Sequence, residues 1–467
     1  MKNFNYNYIM QIPNIIKRIS QILKKQNAKA IIVGGSVRDH FLQLPVKDYD
    51  IEVYGLNSIK QLEKILKEYG KVNLVGKSFG VLKFIYNNQE YDFSFPRIET
   101  KVSQGHRGFD IKCNGLMSFQ EASLRRDFTI NAMGYDIEEQ KFIDPFGAKE
   151  DIQTKTLRHI DNSSFVEDPL RVYRAIQFCA RFNYSLAKET LKLCQDMVEI
   201  GQLEELPKER IYIEFQKLLL KSPKPSIGFE LMRKLRVIKY YPELEALIDI
   251  PQEPKWHPEG NVWVHTLMAI DKMTLLKTGE EKKDLKLLFA VLCHDFGKAT
   301  HTQIKPDIIS AWGHELAGVE PTKRFMYRLT DEHNFINSIA LLVEYHMIPT
   351  QYFKNHAKDR TIRKLSTKIN IQELVTVARA DFLGRTTSQS LSGEYLAGDW
   401  LLQKAKELEV YNKPPKALIQ GRDLIALGLT PSKEFKTILD KVYNEQLNGN
   451  ITNYNEAIHF VKQLMGQ

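Results

Sequence analysis

The sequence predicts an α+β protein, in which a small mixed β-sheet with helices on one side is followed by domains made of helices. Up to about residue 160, apolar runs of strand character alternate with segments of helical periodicity. Beyond that point, apolar residues recur at helical spacing. At 467 residues the chain is too long for one hydrophobic core, so we expect several domains.

The elements of the sheet-containing part follow from periodicity and from turn residues. The polar stretch 99–113 contains Gly105 and Gly108 and predicts a loop, and the sequence at 144–147 predicts a turn. The expected elements are a helix over about 12–26, a strand over 28–33, a helix over about 36–42, a strand over 50–54, a helix over 58–69, and two β-rich runs over 72–86 and 90–95.

Prolines and changes of pattern divide the chain into five predicted segments. Pro251, Pro254 and Pro258 mark a boundary near residue 250, and Pro414 opens the last segment. The predicted segments are a basic N-terminal helical extension at 1–27, a head at 28–160, a neck at 161–250, a third domain at 251–400 and a helical tail at 401–467.

Charge and cysteine content point to a cytoplasmic protein with an anionic partner. The formal net charge is +9, from 66 basic and 57 acidic residues, and residues 1–38 carry basic residues without an acidic one. The sequence has neither a secretion signal nor an apolar run long enough to span a bilayer, so we expect no membrane partner. The four cysteines are far apart, which fits a reducing compartment.

The strongest chemical signal lies between residues 34 and 50. A buried strand ends at Gly34 and Gly35 and leads through Ser36 into a helix, an arrangement in which backbone amides can approach a phosphate closely. Arg38 would add a charged donor near the same point. Alone, a pair of glycines is more often a plain turn between strand and helix.

Two carboxylates follow this turn, at Asp48 and Asp50. On a strand, residues two apart point to the same face, so both side chains would converge beside the glycines. Mg²⁺ prefers such oxygen ligands and completes its shell with water and substrate phosphates. A third carboxylate is expected at Asp92, with Glu90 as the second choice.

Five segments, in this order over about 140 residues, resemble motifs of class II CCA-adding tRNA nucleotidyltransferases and bacterial poly(A) polymerases. They are 34–52 (GGSVRD and DYDIE), 92–97 (DFSFPR), 125–133 (RRDFTINAM), 144–147 (DPFG) and 167–171 (EDPLR). The resemblance implies that Asp48, Asp50 and Asp92 are catalytic. It also implies that the segment containing Arg126, Asp127 and Asn131 contacts the nucleotide.

Base selection is predicted for Asp168 and Arg171, which would share a face of a helix. A carboxylate accepts from the exocyclic amine of cytosine or adenine, and a guanidinium donates to the adjacent ring nitrogen. Uracil and guanine present the reverse pattern, so mispaired buried groups would reject them at about 1–3 kcal/mol each. The alternative for these two residues alone is a surface ion pair. Arg174, one turn further on, is expected to help position the base or the phosphates.

The region after residue 250 resembles HD phosphohydrolases. The apolar run 287–293 ends at His294 and Asp295, and the resemblance adds His265 upstream and Asp381 downstream as further metal ligands. Imidazole and carboxylate ligands suit Ni²⁺, Mn²⁺ or another transition metal. Two more histidines, His314 and His346, are optional ligands, each individually more typical of packing or of the surface.

Together these patterns predict an enzyme that adds CCA to tRNA 3′ ends from CTP and ATP, with Mg²⁺ in the head. The segment 251–400 would be an HD domain, and the tail 401–467 would bind tRNA. The nearest alternatives are a poly(A) polymerase, which the sequence GKSFG at 76–80 disfavours, and an enzyme that adds only CC or only A. An HD hydrolase with a non-catalytic, RNA-binding head is the alternative from another class, and the oligomeric state stays open.

Overall fold

The computed structural model describes residues 9–46, 48–75, 80–101, 109–113 and 117–465, and only the backbone of 75, 97–101 and 109–113. The chain forms two compact units. The first comprises Met1–Leu218 and Ile227–Val237, and the second comprises Leu219–Ser226 and Ile238–Gln467. Among the described residues, no helix has both the length and the apolar character needed to cross a membrane.

The first unit is organised around a mixed sheet, as predicted. Its described strands follow the order β3-β4-β5-β2-β1-β8-β9, with β2 and β5 parallel and the other neighbours antiparallel. The strands of this unit are β1 Lys29–Val33, β2 Asp50–Tyr54, β3 Lys71–Val75, β4 Val81–Tyr86, β5 Gln89–Ser94, β6 Arg97–Lys101, β7 Phe109–Cys113, β8 Gly134–Asp136, β9 Lys141–Ile143, β10 Thr156–Leu157 and β11 Ser185–Leu186.

Helices alternate with these strands along the chain and follow the last of them. The division between the units falls within two of them, α9 and α10. The helices are α1 Asn14–Lys24, α2 Gly35–Phe41, α3 Ile59–Lys67, α4 Phe119–Ser123, α5 Ala148–Gln153, α6 Asn162–Val166, α7 Leu170–Phe182, α8 Lys188–Glu199, α9 Lys208–Lys221 and α10 Pro225–Lys234, with a 3₁₀ turn at Thr129–Asn131.

The basic N-terminal helix α1 packs into this unit. Its apolar stripe, which includes Ile16, Ile19 and Leu23, is buried, as the periodicity predicts. The ammonium groups of Lys24 and of Lys29 on β1 lie 3.5 and 2.7 Å from carboxylates of the β8–β9 turn. The helix therefore contributes to the core of this unit.

The predicted loop at 99–113 is wrong at its two ends. The backbone there forms the antiparallel pair β6–β7, with Arg97 opposite Cys113 and Lys101 opposite Phe109. The segment 109–113 alternates apolar and polar residues, which suits a strand, and pairing satisfies the backbone groups of both segments. Residues 102–108 lie outside the described residues, and so does most of the segment 76–80 on which the poly(A) polymerase comparison rests.

Within the described part of the second unit, the chain is helical apart from one hairpin that the periodicity did not predict. The hairpin joins β12 Gln303–Lys305 to β13 Ile308–Ser310. The helices are α11 Pro242–Glu245, α12 Val262–Leu275, α13 Glu281–Cys293, α14 Lys298–His301, α15 His314–Ala317, α16 Val319–Tyr327, α17 His333–Tyr345, α18 Ile348–Lys354, α19 Asp359–Ser366, α20 Ile371–Leu383, α21 Ser388–Leu391, α22 Leu396–Glu407, α23 Gly421–Ala426, α24 Lys433–Asn448 and α25 Tyr454–Leu464.

Candidate active sites

The first candidate site lies where β1 ends and α2 begins. Gly34 has φ of +70°, in the left-handed region that favours glycine. A Cβ at this position would lie 3.2 Å from a guanidinium nitrogen of Arg126 and 3.9 Å from a carboxylate oxygen of Asp50. Gly34 therefore keeps open a space that these two groups border. Behind it, the buried Ser36 hydroxyl lies 3.4 Å from the Val33 carbonyl.

Two carboxylates meet at the edge of this space through strand register. Asp50, the first residue of β2, is the direct partner of Asp92 on the parallel strand β5. Desolvation raises the pKa of Asp50, and the charges of Asp92 and Asp48 raise it further. Desolvation also raises the pKa of Asp92. Two carboxylates held this close resist ionisation, and a bound cation would relieve that repulsion.

The predicted strand position of Asp48 is wrong, because β2 begins only at Asp50. Asp48 is exposed on the segment that enters the strand. It is nevertheless close enough to raise the pKa of both Asp50 and Asp92. The three carboxylates thus form one electrostatic group, and their donor chemistry fits Mg²⁺. The second-choice ligand, Glu90, is instead paired with the Lys83 ammonium at 2.8 Å.

A buried carboxylate that the sequence reasoning did not assign supports this group. Glu52 lies two residues beyond Asp50 on β2 and is 2% exposed. Its carboxylate accepts hydrogen bonds from Arg125 and Arg126, each at 2.9 Å, and from the Tyr54 hydroxyl at 2.7 Å. Glu52 therefore holds the Arg126 side chain against the space at Gly34. The signal in the sequence was the two-residue spacing from Asp50.

Four of the predicted nucleotide-binding residues form a chain of hydrogen bonds. Arg38 is buried and donates to Asn131 at 2.7 Å, and Asn131 donates to Asp127 at 3.0 Å. The other Asp127 oxygen accepts from Arg174 on α7 at 2.7 Å. Burial alone would raise the pKa of Asp127, but Arg174 and Asn131 hold it below its usual value. This chain fixes the 3₁₀ turn between α2 and α7.

The two predicted base-selecting residues lie at the start of α7, although the helix begins only at Leu170. Arg171 donates to the backbone carbonyls of Ser164 and Arg125, at 2.7 and 2.6 Å. Asp168 pairs instead with Arg210 on α9, at 2.9 Å. These contacts orient both side chains, and Arg210 is a partner that no local sequence pattern indicated, since it lies 42 residues away.

The second candidate site lies in the second unit, where five helical segments bring together buried histidines and aspartates. His265 lies in α12, His294 and Asp295 follow α13, and Asp381 lies in α20. His314 begins α15 and His346 follows α17. All six side chains are at most 9% exposed. The optional ligands His314 and His346 therefore join the four residues that the HD resemblance implied.

The ligand atoms fall into two groups, one of which contains His294 and the other the adjacent residue Asp295. Within each group the donor atoms lie within 4.8 Å of one another. One group consists of His265, His294 and Asp381, and the other consists of Asp295, His314 and His346. Such a set of imidazole nitrogens and carboxylate oxygens suits a transition metal. His257, Glu259 and His265 form a third such group among the described residues.

The hydrogen bonds leave the Nε2 atoms of three histidines facing inward. Nδ1 of His294, His314 and His346 lies 2.6–2.7 Å from a backbone carbonyl, which can only accept, so each Nδ1 carries a proton. Burial lowers the pKa of His346 to about 3, so its Nε2 carries a lone pair at neutral pH. The Nε2 atoms of His314 and His346 are 3.3 Å apart and must share a proton or a cation.

Two buried polar atoms at the centre lack a hydrogen bond of acceptable geometry among the described residues. They are Nε2 of His294 and Oδ2 of Asp295. The two atoms are 3.2 Å apart, and the Lys298 ammonium lies 2.8 Å from the same Asp295 oxygen. Buried polar atoms are rarely left in this state unless an ion or a water completes them. This observation supports a metal at the site.

Charged partners surround the ligand carboxylates. Arg385 donates to both oxygens of Asp381 at 2.9 Å. Burial alone would raise the pKa of Asp381, but Arg385 and His265 hold it well below its usual value. Lys298 lies three residues after Asp295, and Arg385 lies four residues after Asp381, so helical spacing could have indicated both partners. No comparable spacing indicated Glu259, which contacts His265.

The chain matches three protein families along its length. The Poly A polymerase head domain matches residues 30–158, the probable RNA and SrmB-binding site of polymerase A matches 183–248, and the HD domain matches 262–385. The fold and the two sites thus define a nucleotidyltransferase with an HD domain. The predicted α+β fold class and enzyme class are confirmed.

Relatives that match over most of their own length identify the family within this class of enzymes. A multifunctional CCA protein of Pasteurella multocida is 34% identical over 370 residues, which cover 77% of this chain and 84% of the relative. One from Neisseria meningitidis is 35% identical over 364 residues, which cover 76% of this chain and 82% of the relative. The chain belongs to the multifunctional CCA protein family.

Solved structures agree with this fold. The CCA-adding enzyme of Bacillus stearothermophilus in complex with CTP aligns with a TM-score of 0.68 and 19% identity, covering 98% of this chain and all of the other. The Thermotoga maritima CCA-adding enzyme complexed with tRNA aligns with a TM-score of 0.59 and 20% identity, covering 97% and 95%.

Proposed function

We propose that this chain adds CCA to tRNA 3′ ends, using CTP and ATP and releasing pyrophosphate. The observation that carries the proposal is the pairing of Asp50 with Asp92 across β2 and β5, beside the space at Gly34. Family membership supports the reaction. Related enzymes with CTP, with ATP and with tRNA support the substrates.

Asp48, Asp50 and Asp92 would hold Mg²⁺ in this reaction. The ion would supply charge neutralisation for the attacking 3′-hydroxyl and for the leaving pyrophosphate. Arg126 borders the same space and offers a guanidinium to the triphosphate, while Glu52 fixes its direction.

Asp168 and Arg171 would select the base. Each presents a polar group held in place by protein partners. A carboxylate acceptor beside a guanidinium donor matches cytosine and adenine and mismatches uracil and guanine. A second set of residues would bind and orient the nucleotide. They are the four that form one chain of hydrogen bonds, Arg38, Asn131, Asp127 and Arg174.

The test uses purified protein and tRNA that ends at the discriminator base, with each nucleotide supplied singly and in combination. CTP with ATP should yield a CCA end, whereas UTP and GTP should not be incorporated. Unlimited A addition would support the poly(A) polymerase alternative, and arrest after CC would support a partial enzyme. The proposal fails if Asp50→Asn retains full activity, while Glu90→Gln serves as the matched control on the same sheet.

We propose, second, a metal-dependent phosphohydrolase in the HD domain. The two neighbouring groups of buried ligands would hold Ni²⁺, Mn²⁺ or another transition metal, with His265, His294, Asp295 and Asp381 as the main set. The ion would activate water for attack on a phosphate ester. The alternative of a hydrolase with a non-catalytic head requires that nucleotide addition be absent, which the same tRNA assay decides.

A further inference from the structure

Three of the four histidines around the HD site are held by the backbone. Nδ1 of His294, His314 and His346 contacts the carbonyl of the residue three positions earlier, at distances of 2.6–2.7 Å. These carbonyls come with the fold, and side-chain substitution does not remove them. The orientation of these three rings is therefore a property of their helix ends.

His265 is held differently. Its Nδ1 lies 2.8 Å from Oε1 of Glu259, a side chain that is 1% exposed. The other Glu259 oxygen accepts the backbone N–H of Thr386 at 3.1 Å. Thr386 lies five residues after Asp381, whose Oδ1 is 3.0 Å from Nε2 of His265. The Glu259 carboxylate thus connects the His265 ring to the segment that follows Asp381.

We infer that Glu259 is a positioning residue for the HD metal site, acting through His265. Its carboxylate fixes the proton of His265 on Nδ1 and turns Nε2 towards Asp381. A carboxylate that accepts the N–H of an imidazole also makes the opposite nitrogen a better metal ligand. The inference rests on the proposed metal-dependent function of this site.

His257 shares the same carboxylate. Its Nδ1 lies 2.9 Å from Oε1 of Glu259, and its ring packs edge-on against His265 with centroids 4.7 Å apart. The distances of 2.8 and 2.9 Å are those of hydrogen bonds from two imidazoles to one carboxylate oxygen. His257 therefore helps to orient the Glu259 carboxylate. The competing hypothesis is a metal bound directly by His257, Glu259 and His265.

The experiment measures metal affinity rather than hydrolysis. The full-length protein is stripped with a chelator and titrated with Co²⁺, whose visible absorption reports both affinity and ligand geometry. Glu259→Gln preserves the shape of the side chain and removes its charge. We expect it to weaken Co²⁺ binding roughly 10- to 100-fold and to alter the absorption spectrum.

Two variants serve as controls. Asn261→Ala removes the side chain that caps the same helix, α12, through the Val264 amide at 2.9 Å, and leaves the backbone hydrogen bond from the His265 N–H to the Asn261 carbonyl in place. We expect it to lower thermal stability and leave Co²⁺ affinity unchanged. His257→Gln should lose far less Co²⁺ affinity than Glu259→Gln, because its amide still offers a donor to Glu259 and His265 keeps its own hydrogen bond to that carboxylate.

The outcomes separate the inference from the function on which it rests. Wild-type affinity in Glu259→Gln, or an equal loss in Asn261→Ala, would overturn the positioning role. Complete loss of binding in His257→Gln would show that the metal sits at the competing group. A wild-type protein that binds no Co²⁺ would overturn the proposed metal site itself, and the positioning role with it.

Discussion

The two candidate sites of this chain offer a cation opposite kinds of ligand. In the head, Asp48 and Asp50 are exposed, and the candidate ligand atoms are carboxylate oxygens from the parallel strands β2 and β5 and from the segment that enters β2. In the HD domain, the ligands are buried, and most of them are imidazoles from separate helices. An exposed oxygen site suits Mg²⁺, which keeps water and takes substrate phosphates, whereas a buried nitrogen site suits a resident transition metal.

The residues that support the two sites also differ in what they contact. In the head, Glu52 accepts hydrogen bonds from Arg125 and Arg126, and Arg126 borders the space at Gly34. In the HD domain, Arg385 and Glu259 fix the ligands themselves, through Asp381 and His265. The contacts around the head site thus orient groups that would meet a nucleotide, whereas those around the HD site orient the candidate metal ligands.

The largest expected effect is the separation of the two activities. Asp50→Asn should reduce nucleotide addition on the order of 10³-fold, since a catalytic metal supplies several kcal/mol of transition-state stabilisation. Asp295→Asn should reduce phosphodiester hydrolysis to a similar extent. Each variant is assayed in both reactions, with labelled CTP and tRNA for addition and bis(p-nitrophenyl) phosphate for hydrolysis.

Each variant should keep the activity of the other site, because the ligands of each site belong to one compact unit. Glu90→Gln is the head control, since its carboxylate is exposed and paired with Lys83. Loss of both activities in either variant would contradict the separation of the sites.

The next effect concerns stability. A transition metal at 100 times its Kd should stabilise the protein by about 2.7 kcal/mol, because it binds the folded state only. Calorimetry measures this stabilisation on protein that has been treated with a chelator, before and after Ni²⁺ or Mn²⁺ is added back. The variant His294→Ala should abolish the stabilisation. We expect Mg²⁺ without nucleotide to produce a smaller shift, because the head supplies only part of its shell. An equal shift from Mg²⁺ would remove the contrast between the sites.

The sequence predicted the parts of these sites that depend on local spacing. The strand that ends at Gly34 and the HD dipeptide at 294–295 could be identified because periodicity and residue type report on a few neighbouring residues. The direct pairing of Asp50 with Asp92 depends on register between distant strands, so the sequence could name Asp92 as a candidate, with Glu90 as the second choice, but not its place opposite Asp50.

Partners from distant segments could not be predicted. Asp168 and Arg210 are 42 residues apart, and Glu259 contacts the Thr386 amide across 127 residues. Tertiary packing decides such contacts, and nothing in the spacing of one sequence encodes them. The strands β6 and β7 were missed for another reason, because glycines at 105 and 108 suggested a loop over the whole polar stretch.

A smaller effect is expected in base selection. Asp168→Asn should relax discrimination against UTP relative to CTP roughly tenfold to hundredfold, because one buried mismatch costs about 1–3 kcal/mol. The measurement is the ratio of kcat/KM for the two nucleotides on the same tRNA. Arg210→Ala keeps the Asp168 carboxylate but removes the partner that orients it, so it should relax the preference for CTP less than Asp168→Asn does. Unchanged discrimination in Asp168→Asn would assign selection to other residues.

The smallest effect concerns Asp144, which belongs to a head motif but makes structural contacts. Its carboxylate accepts the backbone N–H groups of Ala148 and Lys149, at 2.8 and 3.0 Å, at the start of α5. Asp144→Ala should therefore lower the free energy of unfolding by about 1 kcal/mol, as loss of a helix cap does, while Asp144→Asn should cost less. Urea unfolding measures both. If the folded Asp144→Ala protein loses nucleotide addition at saturating substrates, Asp144 belongs with the carboxylates of the head site rather than with its scaffold.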